Sequence, residues 1–336
     1  MQPLIFAHRG ASHLAPENTL AAFSKAKELG ADGVEMDVQT TKDGKLVIHH
    51  DYMLDLHTKI QANIYDMVEG DLRQLDVGSW MDAAYSGQHI PTLKEALEAT
   101  SDFDDVMLEM KSAVRHHPDF VKNVVETIKE TGMTDKVILI AFQHSLLSEA
   151  KQLLPELRVG TLLYGDLTGF FVPPPTIWKD LGLTNGTDDE PEGEQAELIE
   201  KLSGEQAAGL ALDMAENPDS YGEENSDLVR WVGHKVTMLR ASYPNENFFE
   251  IIQHIAAQSD PAAFVKGLDF LPEYVSCNYH TAFVRPHVVD ELHAIGTQAA
   301  FWTVNTKEAT TSLMQQNPDA IVTNRPDRIR EWLEEL

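Results

Sequence analysis

Short apolar runs recur along most of the chain, and the stretches between them carry helical patterns. The runs are Pro3–Ala7, Gly33–Val38, Val106–Met110, Lys136–Phe142, Arg158–Tyr164, Tyr274–Cys277, Gln298–Val304 and Ala320–Thr323. Each is rich in Val, Ile or Leu and bounded by turn residues, which predicts strands buried on both faces. Between the first two, Asn18–Leu29 sets Leu20, Phe23, Ala26 and Leu29 along one stripe and stops at Gly30, as an amphipathic helix does. Phe120–Glu130, Ser145–Leu153, Pro286–Ala294 and Lys307–Gln315 read the same way. Strand and helix in alternation imply a parallel sheet. Eight such strands suit a closed (β/α)8 TIM barrel better than an open sheet. Counting alone does not decide closure.

The 336 residues are read as a single barrel domain, 1–336, with two interruptions. Residues 51–90 form a long polar stretch after the second strand, before a helix beginning near Thr92. The larger interruption, 165–272, follows the fifth strand and reads as an inserted subdomain. It opens with Pro173-Pro174-Pro175, and Asn185–Gly193 is expected to be a mobile loop. Helices are expected at Ala196–Leu202, Ser226–Val232 and Asn247–Gln258, with possible strands at Leu210–Met214 and Val236–Leu239.

The formal net charge of −28 limits the partners. Such a field repels nucleic-acid backbones and anionic bilayers. The one cysteine, Cys277, excludes an intramolecular disulfide. No leader and no integral membrane segment is visible, so the cytoplasm is the default location. Oligomeric state is left open.

Barrel enzymes place their chemistry at the C-terminal ends of strands, so polar residues closing an apolar run are the candidates. The first strand ends in His8-Arg9-Gly10. The second carries Glu35 and Asp37, and the extended segment Leu46–His50 leads to His49-His50-Asp51. The third ends with Glu109 and Lys111, the seventh with Trp302-Thr303-Val304-Asn305. Strand residues two apart point the same way, so Glu35 with Asp37, and Glu109 with Lys111, can each address one site. Three carboxylates meeting at one mouth need a cation between them, and an all-oxygen set suits Ca²⁺ or Mg²⁺. A divalent metal also answers the charge problem that an anionic substrate would meet. Arg9 and Lys111 add positive charge, and His8 and His50 can divide acid and base duties.

In order along the chain stand His8-Arg9-Gly10, Pro16-Glu17-Asn18-Thr19, Gly30 to Val38 (GADGVEMDV), Thr41-Lys42-Asp43-Gly44, His50-Asp51, Ile90-Pro91-Thr92-Leu93, Leu108-Glu109-Met110-Lys111 and Trp302-Thr303-Val304-Asn305. This series resembles the signature of the glycerophosphodiester phosphodiesterases. The resemblance is dense over 1–111 and 274–327 and weak or absent over 165–272. It implies a TIM barrel with metal on Glu35, Asp37 and Glu109, and His8 and His50 as the acid–base pair. It also puts Arg9 and Lys111 on the substrate phosphate and makes 51–90 the family's insertion, shaping the glycerol and head-group pockets. Two departures stand out: Asn324 where the family commonly has Asp, and Ala141-Phe142-Gln143 where Ser-Phe is usual. Neither is expected to touch the metal or acid–base positions.

Plainer readings stand beside these. Adjacent His49 and His50 face opposite sides of an extended chain, and the position next to Asp51 selects His50. Asn18 can simply cap the first helix; Glu17 can help start it or hold Arg9. Trp302 is barrel filling or, preferably, the wall of an organic pocket. The function expected is hydrolysis of a small-molecule glycerophosphodiester to sn-glycerol 3-phosphate and an alcohol. Whether water attacks directly or a cyclic phosphate intervenes stays open. A lysophospholipase D-like activity on acyl-bearing substrates, with Phe170, Phe171, Ile177 and Trp178 offering a groove, is the alternative. A catalytically silent barrel binding protein is disfavoured because all seven site positions carry suitable residues. The large insertion is expected to narrow substrate choice.

Overall fold

A computed structural model describes residues 2–111, 117–165, 171, 193–203, 207–222, 225–242 and 247–336. Its strands are β1 (Leu4–His8), β2 (Gly33–Thr40), β3 (Leu46–Ile48), β4 (Asp105–Met110), β5 (Val137–Ala141), β6 (Arg158–Leu163), β7 (Tyr274–Asn278), β8 (Gln298–Trp302) and β9 (Ala320–Thr323). Eight pair in parallel in the order β1-β2-β4-β5-β6-β7-β8-β9, and β1 pairs with β9 as well as β2, so the barrel closes. All eight apolar runs of the sequence are barrel strands. The ninth strand, β3, folds back antiparallel on β2.

β5 (VILIA) is buried along its whole length, since none of its side chains is polar. Each such Val, Leu or Ile contributes about 1.5–3 kcal/mol relative to exposure. The outer helices cover them with one face each; Phe120–Glu130 buries Phe120, Val121, Val124, Val125 and Ile128. Gly33 is required where β2 enters, since a Cβ there would lie 2.6 Å from the Asp105 carbonyl and from the Phe6 ring.

The barrel unit comprises Met1–Leu163 and Asp260–Leu336. Within it, the segment after β3 packs Leu54, Ile64, Leu72, Val77 and Ile90 with Val47 of β3 into a small core. The helix that follows (Leu93–Ala99) starts at Thr92, where Thr92 and Glu95 form a reciprocal capping box, a motif whose cap is worth about 1 kcal/mol.

Residues Tyr164–Ser259 form a second compact unit, ending before the 272 drawn from sequence. Its described elements are helical: Gly193–Ser203, Ala207–Glu216, Ser226–Ser242 and Phe248–Ala257, besides a short 3-10 turn at Pro218–Tyr221. The two strands expected at Leu210–Met214 and Val236–Leu239 are therefore corrected to helix. The reason is visible in the burial: Leu228, Val232, Val236 and Leu239 are all buried, and their spacing of four, four and three is the helical period. The proline run Pro173–Pro175, Asn185–Gly193 except Gly193 itself, and Phe170, Ile177 and Trp178 lie outside the described residues. Among the described residues no helix is long and apolar enough to cross a membrane.

Candidate active site

Three neighbouring strands supply the centre. In the β1–β2 register His8 lies opposite Glu35, and in the β2–β4 register Asp37 lies opposite Glu109. One carboxylate oxygen from each of Glu35, Asp37 and Glu109 lies within 4.8 Å of the others, and all three residues are buried. Lys111, one step beyond β4, sets its Nζ 2.9 Å from Glu109 Oε1 and 3.6 Å from Asp37 Oδ1.

The His-Arg-Gly turn after β1 is shaped for this centre. Arg9 adopts a left-handed backbone, φ 57°, a strain of order 1–3 kcal/mol for a residue other than glycine. In that conformation its backbone N–H donates to Glu35 Oε2 at 3.0 Å. Its Nη1 donates to Glu17 Oε1 at 2.9 Å, and its Nε lies 3.6 Å from Asp37 Oδ2. Glu17 thus holds Arg9. Gly10 has φ 78°, and a Cβ there would stand 2.6 Å from the Ala22 backbone, so only glycine fits. Asn18 is not the helix cap expected of it. Thr19 caps the helix by accepting from the Ala22 N–H, while Asn18 Nδ2 donates to Asp37 Oδ2 at 2.8 Å.

The hairpin from β2 to β3 returns the chain to the same mouth. Gln39, next after Glu35 and Asp37 in the two-residue period of β2, turns its amide nitrogen to the carbonyls of His49 (2.7 Å), His50 (3.1 Å) and Asp51 (2.9 Å). His50 Nδ1 then pairs with Asp51 Oδ1 at 2.8 Å. The two histidines diverge: the His49 ring meets His57 edge-on at 5.8 Å, and His57 stacks on Trp80 at 4.5 Å. His50 instead shares its electrostatic surroundings with Arg9, Lys111, Asp37 and His8.

His8 Nε2 lies 3.9 Å from Glu35 Oε2, and its Nδ1 lies 2.6 Å from Asn324 Oδ1. This corrects the expectation that the departure at Asn324 stays clear of the acid–base positions. Parallel pairing of β1 with β9 sets Thr323 beside Ala7, so the next residue on each strand meets as well. Asn305 Oδ1 accepts from Thr323 Oγ1 at 3.2 Å and from the Asn324 N–H at 2.9 Å. Trp302 donates its indole N–H to the Ser276 carbonyl at 3.0 Å and meets Phe142 edge-on at 5.7 Å.

Comparison with known proteins gives the family and the fold. The model of the glycerophosphoryl diester phosphodiesterase family matches residues 8–168 and 198–328, most of the chain. The chain belongs to that family. A glycerophosphodiester phosphodiesterase of Caldanaerobacter subterraneus is 40% identical over 163 residues, covering 48% of this chain and 67% of the relative. One from Bacillus altitudinis is 34% identical over 160 residues, covering 47% of this chain and 65% of the relative. The chain thus spans about two thirds of the length of these curated relatives. A phosphodiesterase of Oleispira antarctica, solved with sn-glycerol-3-phosphate as product, superposes with a TM-score of 0.61 at 21% identity, over 99% of this chain and 97% of that one. A glycerophosphoryl diester phosphodiesterase structure from Silicibacter pomeroyi gives 0.62 at 20% identity, over 99% and 94%. These two structures agree with the barrel fold.

This member of a phosphoric diester hydrolase family carries an uneven charge balance at its mouth. Burial, then the neighbouring Asp37 and Glu109, push the Glu35 carboxyl well above the usual range. Burial likewise lifts Glu109 to about 7 against the pull of Lys111. Burial acts on Asp37 too, but His50, Lys111 and Arg9 outweigh it and hold that carboxyl low. Burial and then Arg9 lower His8 to about 4; burial, Arg9 and Lys111 depress His50. Glu35 and Glu109 thus resist carrying their charges together beside Asp37. Three buried carboxylates of this kind fit a hard divalent ion.

Sequence reasoning missed Gln39 altogether and misassigned Asn18. The signal for Gln39 was present in the period of β2, on which Glu35, Asp37 and Gln39 share one face.

Proposed function

We propose that the protein hydrolyses glycerophosphodiesters to sn-glycerol 3-phosphate and a free alcohol, with Glu35, Asp37 and Glu109 holding Mg²⁺ or Ca²⁺. The observation that carries this reading is the buried carboxylate cluster with His8, Arg9 and Lys111 beside it at the ends of adjacent barrel strands, and with His50, after β3, under the influence of Asp37 and Lys111. When bound, a divalent ion polarises a phosphoryl oxygen and offsets the substrate's charge. Arg9, braced by Glu17, presents its guanidinium to the phosphate, and Lys111 adds a second positive group. His8, 3.9 Å from Glu35, and His50, under the influence of Asp37 and Lys111, divide the proton transfers, one taking a proton from the nucleophile and the other giving one to the leaving alkoxide. Asp51 at His50 Nδ1 orients that ring and stabilises its charged form. Trp302 with Phe142 offers an aromatic wall to the organic part of the substrate.

The test is hydrolysis of a panel of glycerophosphodiesters, with acyl-bearing substrates alongside. Exhaustive chelation is expected to abolish turnover, and Mg²⁺ or Ca²⁺ to restore it. Full activity after chelation, or no hydrolysis of any panel member with metal supplied, would reject the reading.

A further inference from the structure

The pairing of the first barrel strand with the last brings an amide to a histidine that the reading above makes catalytic. The amide oxygen of Asn324 lies 2.6 Å from His8 Nδ1. A ring nitrogen facing a carbonyl oxygen at that distance carries the hydrogen, and the neutral ring then has its lone pair on Nε2. That is the nitrogen turned toward the carboxylate cluster, 3.9 Å from Glu35 Oε2. Asn324 is itself held from two sides. Its backbone N–H donates to Asn305 Oδ1 at 2.9 Å, and its carbonyl accepts from the His13 N–H at 3.3 Å.

We infer that Asn324 is the positioning residue of His8, fixing the imidazole in one orientation and as the tautomer protonated at Nδ1. A carboxylate at this place would orient the ring equally well but add charge. The mouth already holds Glu17, Glu35, Asp37, Asp51 and Glu109, so a neutral acceptor supplies direction without another anion. Asn305 acts one step farther out, by holding the end of β9 against the turn after β8.

The inference rests on His8 being catalytic, and the experiment separates the two. In the full-length protein with Mg²⁺ or Ca²⁺ supplied, Asn324→Leu removes the acceptor at similar volume, and Asn324→Asp keeps it. The leucine variant is expected to lose about 10- to 10²-fold in kcat, with KM within about twofold and thermal stability close to the parent. Asn324→Asp should largely recover that loss. Long-range ¹⁵N–¹H correlation of the His8 ring, identified by its disappearance in His8→Ala, should show hydrogen on Nδ1 in the parent and its loss in Asn324→Leu. Hydrogen on Nε2 in the parent, or a leucine variant with undiminished kcat, overturns the inference, as does a loss confined to KM. An active His8→Ala would instead remove the catalytic reading on which it stands.

Discussion

The barrel mouth and the helical unit Tyr164–Ser259 are built on opposite terms. In the helical unit the described buried residues are nearly all apolar, among them Leu202, Ala211, Met214, Leu228, Val232 and Ile255, with Asn225 and Gln258 the polar exceptions. At the mouth Glu35, Asp37, Glu109, Lys111, His49 and His50 are buried together. Burying an ion carries an effective penalty of several kcal/mol, offset only where partners and hydrogen bonds are in place. The mouth therefore holds its geometry through specific contacts, each of which can be broken singly. The helical unit depends on volume and period, which tolerate exchange among apolar residues. Stability set aside at one place and accumulated at another is what a catalytic site on a packed scaffold requires.

The contrast is broken most directly at the histidines. His8→Ala and His50→Ala are each expected to lower kcat by at least about 10²-fold, with the fold retained by circular dichroism. His49→Ala should leave most activity, since its ring faces His57 rather than the cluster. The reverse ranking of His49 and His50 in the kinetics would show that the wrong neighbour has been chosen.

Gln39→Leu comes next. It strips the donor from three carbonyls that set the path of His49-His50-Asp51. About a tenfold fall in kcat is expected from misplacing His50, together with about 1–3 kcal/mol of stability lost to buried unpaired carbonyls, read by denaturant melts. Unchanged kcat would show that the hairpin holds His50 without this clamp.

A pH series sharpens the comparison with a smaller effect. Glu109 is lifted in the folded state to about 7, so the folded protein binds the proton more tightly than the unfolded chain does. The stability this confers is complete below the unfolded carboxyl range and is lost as pH rises through about 7. The lowered His8, His49 and His50 work in the opposite sense and the raised Glu35 in the same sense, so the contribution of Glu109 is read as a difference from a variant that lacks its charge. Between about pH 5 and 8 the chelated protein should therefore lose more thermal stability than chelated Glu109→Gln does, and a divalent ion should abolish that difference. Parallel profiles for the two chelated proteins would contradict the burial of a proton-binding Glu109 in the cluster.

Excising the helical unit, with a short Gly/Ser bridge, is the mildest expected change in chemistry. Metal-dependent hydrolysis of a small generic phosphodiester should persist, while preference among natural head groups shifts. A folded excision variant with unaltered preference across the panel would show that the unit plays no part in substrate choice.

The same contrast explains what could be read beforehand. The eight barrel strands are legible because parallel strands covered on both sides are written as unbroken Val, Ile and Leu runs, whereas β3 has only three residues and reads merely as part of an extended segment. Glu35, Asp37, Glu109, His8 and His50 announce themselves by closing such runs. Asn18 misleads because asparagine is a good helix cap and Thr19 stands next to it. The contact of Asn324 with His8 is invisible for another reason: it comes from register between the two strands farthest apart in the chain. In the helical unit, short apolar stretches such as Leu210–Met214 carry no mark separating strand from helix until the residues around them are known to pack.

The meeting of β1 with β9 also gives the protein a timetable. The carboxylate cluster lies within the first 109 residues, whereas the partner of His8 is 316 positions downstream of it. At ribosomal speeds of about 5–20 residues per second, about 10–40 s separate the synthesis of Glu109 from that of Asn324. For that interval β1 has β2 on one side and an unpaired edge on the other. A nascent chain therefore possesses every candidate metal ligand well before the residue that faces His8 Nδ1 has been made.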